Sequence, residues 1–106
     1  MDKLVYRAVL FDNYGDLLNE KQRKIMEYTV YEDMSLSEIG EAEGISRQAA
    51  SVLLKRGDER MQEFEGSLHM VEMKENIGEA LKRLKGMKLD EGVKKELELI
   101  EKEINR

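Results

Sequence analysis

The 106-residue chain has no cysteine, no proline and no tryptophan. Without cysteine there is no disulfide framework, no thiol nucleophile and no Cys-based zinc or iron–sulfur site. Histidine is almost as scarce. His69 stands alone, without a cysteine or a fixed carboxylate beside it, and reads as a boundary residue rather than a ligand or a base. No phosphate-cradling loop and no nucleophile elbow occurs. Long apolar runs are also missing: no window approaches a membrane span. The opening Met-Asp-Lys-Leu-Val-Tyr-Arg lacks the basic segment and apolar stretch of a signal peptide. These absences predict a cytoplasmic protein with no enzymatic activity, no cofactor and no metal.

What is present is helix-forming. Glu, Lys, Leu and Met are abundant and β-branched residues few, which predicts an all-α fold. The length suits one domain with a modest core, and the seven methionines suit gaps between helices. The formal net charge is −5, which argues against strong non-specific nucleic-acid binding. The charge is unevenly placed, however. Residues 46–60 carry Arg47, Lys55, Arg56 and Arg60 against Asp58 and Glu59. Glu38, Glu41 and Glu43 precede them, splayed round a short segment as a solvated face rather than a metal cluster.

The chain is organised around residues 35–56, which read as a helix-turn-helix. Ser35 is an N-cap, and Glu38 three residues later completes a capping box. A short helix, Leu36 to about Glu43, ends at Gly44, which supplies a left-handed residue. Ile45 plugs the corner and Ser46 caps a second helix. Gly40, Ala49 and Ala50 are small where two steeply crossing helices approach. The alternative is an ordinary helical hairpin within a bundle.

Around this motif, residues 2–14 predict a first helix with Leu4, Ala8 and Phe11 on one side and Val5, Leu10 and Tyr14 close by. Gly15 and Asp16 break it. Asn19, with Gln22 at the capping-box position, starts a second helix from Glu20 to about Tyr31. The helix after Ser46 continues past Arg56 to near Gly66. Its apolar stripe is Ala50, Leu53, Leu54, Met61, Phe64 and Leu68, with Gly57 permitting close packing. Arg47, Gln48, Ser51, Lys55 and Gln62 fall on the opposite side. Beyond lies a charged tail with no aromatic residue. Met73, Ile77, Leu81 and Leu84 recur at helical spacing, and residues 86–90 form a break with Asp90 as a cap. Leu89, Val93, Leu97, Ile100 and Ile104 then form a stripe close to a heptad seam. That stripe packs either on its own domain or on a second copy in a homodimer. The expected division is a helix-turn-helix domain, 1–68, and a helical tail, 69–106.

The second helix of such a motif enters the major groove of double-stranded DNA by its N-terminal residues. Here Arg47 would pair with guanine, Gln48 with adenine and Ser51 with either, while Lys55 reaches a base or a phosphate. Ser46 and the helix start, Arg56 and Lys21 would position the backbone, with Arg23 and Lys24 adding contacts. The competing reading makes Arg47, Gln48 and Lys55 simply the solvent side of a core helix, in a unit that also serves proteins binding other proteins.

Three segments carry a family resemblance: Leu18-Asn19-Glu20-Lys21-Gln22-Arg23, Ser35-Leu36-Ser37-Glu38-Ile39-Gly40 and Gly44-Ile45-Ser46-Arg47-Gln48-Ala49. Together they resemble region 4 of sigma factors. More closely, with Phe11-Asp12-Asn13-Tyr14-Gly15 before them and Lys55-Arg56 after, they resemble the YlxM family of small bacterial helix-turn-helix proteins. The likeness spans about two-thirds of the chain and is loose in the tail. It implies a core without a wing, flanked by an extra N-terminal helix and the helical tail. It also implies an accessory or regulatory role in the signal recognition particle pathway, with particle components as partners. An adaptor that docks protein or ribonucleoprotein through the same helix, with Val52 exposed, is the alternative to a DNA-binding regulator. The chain departs from relatives at Ala50 and Ser51, where they tend to carry a larger apolar residue and an aromatic.

Overall fold

Nearly every helix starts where the sequence offers a capping side chain. A computed structural model describes residues 1–106 as six α-helices and no strand. Helix α1, Lys3–Tyr14, is capped by Asp2, whose carboxylate accepts from the Leu4 amide at 2.7 Å. A 3-10 turn, Gly15–Leu17, leads to α2, Glu20–Val30. Asn19 and Gln22 form the expected reciprocal capping box there. Ser35 and Glu38 do the same for α3, Leu36–Glu43. Ser46 caps α4, Arg47–Leu68, by accepting from the Ala49 amide. Helix α5 is Met70–Lys85; α6, Glu91–Ile104, is capped by Asp90. No helix is long and apolar enough to cross a membrane.

The chain divides into two compact units, Met1–His69 and Met70–Arg106. In the first, α4 is the spine on which α1, α2 and α3 pack. Leu10, Phe11, Tyr14, Leu18, Ile25, Met26, Ile39, Ala50 and Met61 are buried. Gly57 lies on the buried side of α4 because a Cβ there would stand 2.9 Å from Met26 Cε. Gly15 is right-handed, and its need for glycine is steric: a Cβ would meet the Phe11 ring at 2.8 Å.

Periodicity overestimates the apolar faces at their ends. Leu4 and Val5 are exposed, because at that end α1 meets α4 through a polar contact. There Arg7 makes a two-point hydrogen-bonded ion pair with Asp58, at 2.8 and 2.7 Å. Leu68 is exposed too. The expected stop near Gly66 falls two residues later, since Gly66 stays helical. The terminator is His69, in the left-handed region at φ 53° with its amide donating to Glu65 O.

In the second unit α5 and α6 form a hairpin through residues 86–90. An ion pair joins Lys85 to Glu101. Leu81 and Leu97 are buried, whereas Val93 and Ile100 of the α6 stripe remain 41% and 46% exposed.

Candidate nucleic-acid interface

The corner between α3 and α4 is held by backbone geometry that few residues permit. Gly44 is left-handed, at φ 68°. The following amide, of Ile45, donates to Gly40 O at 2.9 Å. This folds the chain back across α3 so closely that a Cβ on Gly40 would stand 2.7 Å from Ile45 O and 3.3 Å from Arg47 N. Ile45 then packs on the buried cluster of Ile25, Ile39 and Ala50, with Tyr28, Met34, Leu36, Leu53 and Leu54 around it. The start of α4 is thereby fixed against α2 and α3.

Fixing one side of α4 presents the other. Arg47, Gln48, Ser51, Val52, Lys55 and Arg56 are all exposed. At about 100° per residue, Gln48, Ser51, Val52 and Lys55 lie within the exposed arc, and Arg47 and Arg56 flank it about 180° apart. At about 1.5 Å per residue the run from Arg47 to Arg56 is about 14 Å long, comparable with a major-groove width of about 12 Å. Ser46 sits at its start. Its oxygen is committed to the Ala49 amide, leaving the Arg47 and Gln48 amides without a helical acceptor.

The cations of this unit fall into two groups. Arg7 pairs with Asp58 at 2.7 Å, and Lys24 with Glu43 at 3.2 Å. Arg23 lies 3.8 Å from both Asp16 and Glu27. Arg60 pairs with Glu63 at 2.9 Å and covers the Phe64 ring at 4.5 Å. Arg47, Lys55, Arg56, Lys21 and, near the N-terminus, Lys3 take part in no ion pair. Lys21 stands on α2, apart from the α4 face, but lines a notch of about 150 Å³ with Lys24, Ile25, Glu43, Ile45 and Leu53, beside the corner. Arg23 and Lys24, expected at the backbone, are thus engaged by acidic neighbours.

Of the three glutamates of α3, Glu43 alone has a cationic partner. The Tyr28 hydroxyl donates to Glu43 at 2.8 Å. With Lys24 it holds the Glu43 carboxyl below the ordinary carboxylate range, and Glu43 in turn holds the Tyr28 phenol and the Lys24 ammonium above theirs. The Glu38 carboxyl is lowered by the hydrogen bonds it makes with Ser35. Glu38 and Glu41 are both exposed without a charge partner. Sequence reasoning missed the Tyr28–Glu43–Lys24 group and the Arg7–Asp58 pair; both join residues far apart in the chain, and no local pattern signals them.

Comparison with known proteins agrees with this architecture. Residues 1–103 match the UPF0122 family, described as "Putative helix-turn-helix protein, YlxM / p13 like". A UPF0122 protein of Symbiobacterium thermophilum is 45% identical over 64 residues, a span that covers 60% of each chain. One from Halalkalibacterium halodurans is 40% identical over 85 residues, 80% of this chain and 78% of that one. One from Oceanobacillus iheyensis is 39% identical over 93 residues, 88% of this chain and 89% of that one.

Proposed function

We propose that this chain, which belongs to the UPF0122 family of YlxM/p13-like helix-turn-helix proteins, is a regulator that binds double-stranded DNA through α4. One observation carries the reading. The cations of the first unit without an acidic partner include Arg47, Lys55 and Arg56, all on the exposed side of the helix that the corner presents. A cation left unpaired in an acidic molecule has phosphate or base as its natural counterpart. Arg47, Gln48, Ser51 and Lys55 meet base edges. Ser46, Arg56 and Lys21 hold the backbone. Selection of bound duplex at low salt tests this. Arg47→Ala should then cost about 1–3 kcal/mol on the best selected site. A chain that retains no duplex at low salt refutes the reading.

Membership in a YlxM-like family extends the proposal to the signal recognition particle pathway, where the protein acts as a regulatory component. The exposed apolar Val52 on the same face favours a second reading, an adaptor that docks a particle protein or RNA without DNA. Association with a particle component that survives Arg47→Ala but is lost on removing the tail would support the adaptor.

The functional form on this proposal is a homodimer. Its support is the α6 stripe, whose Val93 and Ile100 are uncovered in one chain. Recognition helices about 34 Å apart would then suit successive major grooves. Light scattering that finds a monomer at high concentration rejects this arrangement.

A further inference from the structure

The exposed face of α4 contains one side chain that neither packing nor charge explains. Between Arg47 and Arg56, Val52 is the only large apolar residue left exposed, at 45%. It is not a marginal member of the core stripe. At about 100° per residue it lies about 40° from Gln48 and about 40° from Arg56, well inside the polar arc. The buried side of α4, with Ala50, Gly57 and Met61, faces the other way. Solvating a valine there gains nothing for the monomer. Its neighbours one turn away on either side are Gln48 and Arg56, the first able to read a base edge and the second a phosphate.

We propose that Val52 is a specificity-determining residue whose methyl groups pack on the 5-methyl of a thymine in the major groove. This rests on the DNA-binding reading above. The major groove presents one apolar feature among its hydrogen-bonding groups, the thymine methyl. An apolar side chain set among groove-facing polar residues has that methyl as its complement. Because Gln48 and Val52 are four residues apart on one helix face, their contacts fall close together. The thymine therefore lies within about two base pairs of the adenine paired with Gln48, since one helical turn advances about 5.4 Å and one base step about 3.4 Å.

The test uses the full chain and the duplex of highest affinity from a low-salt selection. Each thymine is replaced singly by deoxyuridine, which removes the methyl group and leaves every hydrogen-bonding edge intact. The wild-type protein should lose about three- to fivefold in affinity at one position and little elsewhere, as expected for one buried methyl. Val52→Ala should bind the thymine duplex more weakly by a similar factor and be indifferent to deoxyuridine at that position. Helical content and thermal midpoint should match wild type, because the side chain is exposed. Val52→Ile, which keeps the branched surface, should retain the sensitivity. Uniform indifference of the wild type to deoxyuridine overturns the proposal while leaving the DNA-binding reading standing. So does a Val52→Ala protein that remains as sensitive as wild type. Failure of the wild type to bind any duplex overturns both. If Val52→Ala then abolishes association with a particle component, the residue belongs to the adaptor surface instead.

Discussion

At the scale of single residues, the glycines separate two kinds of close approach. Gly40 faces backbone: an added Cβ would stand 2.7 Å from Ile45 O, which cannot move without opening the corner. Gly57 faces the tip of a flexible side chain, Met26 Cε at 2.9 Å. Gly40→Ala should therefore destabilise by about 2–3 kcal/mol through overpacking. Gly57→Ala should be near neutral, since Met26 can turn aside and alanine gains up to about 1 kcal/mol in helix propensity. Urea denaturation of the two variants gives the comparison, and equal losses would disprove the distinction. Glu43 offers a second residue-level prediction. Its carboxyl is lowered by Tyr28 and Lys24, so the folded state holds fewer protons there than the unfolded one. That stabilisation is present above the ordinary glutamate value of about 4.3 and is lost as pH falls through the lowered value. The Tyr28 phenol and Lys24 ammonium are raised. Their contribution is present below their ordinary values, about 10 and 10.4, and is lost as pH rises through the raised ones. Glu43→Gln should flatten stability on both limbs of the pH profile; a profile parallel to wild type would contradict the linkage.

The elements show what a sequence can state in advance. Caps depend on residues within four positions of one another, so Asn19–Gln22, Ser35–Glu38 and Asp90 were legible before any coordinates, as was the left-handed Gly44. Helical phase likewise placed Gly57 on the buried side of α4. Phase gives the direction of a face and says nothing of how far the neighbouring helix extends, which is why Leu4, Val5 and Leu68 share the apolar sides of their helices yet stand exposed. Pairings across helices, Arg7 with Asp58 and Tyr28 with Glu43, depend on crossing angles absent from local pattern. The exposure of Arg47, Gln48, Ser51, Lys55 and Arg56 follows from phase, but what they contact does not. The two capping devices around the corner also make a prediction. Ser35→Ala removes the bond from the Glu38 amide to Ser35 Oγ and leaves the residue-35 amide donating to Glu38, whereas Ser46→Ala removes the single bond from the Ala49 amide. Each should cost about 1 kcal/mol, with Ser35→Ala the smaller because the other half of its box, the residue-35 amide on the Glu38 carboxylate, survives. A thermal denaturation series that ranks Ser35→Ala as more damaging would count against this assignment.

For the whole molecule, a net charge of −5 is set against the four cations that the proposed function places at the duplex. On the proposed function, Arg47, Lys55, Arg56 and Lys21 bound the phosphate contacts one chain can make. With about −0.9 per phosphate neutralised, the slope of log affinity against log salt should be no steeper than about −4 for one chain and about −7 for two. A steeper slope in a confirmed monomer would require cations other than these four. Acidic surface elsewhere should keep binding to random duplex weak, because most of the molecule repels phosphate.

Helix α4 is a single unbroken element of 22 residues. Its first half carries the uncommitted side chains, and its second half carries Asp58, Met61 and Glu65, which bond or pack within the first unit. It is also a lever. A rod of that length is about 33 Å long, so a tilt of about 5° at the corner displaces its far end by about 3 Å. No proline or hinge lies along it to absorb the movement. On the proposed function, a partner seated against Arg47 and Lys55 would therefore meet one stiff rod whose aim is set by its packing against α1, α2 and α3.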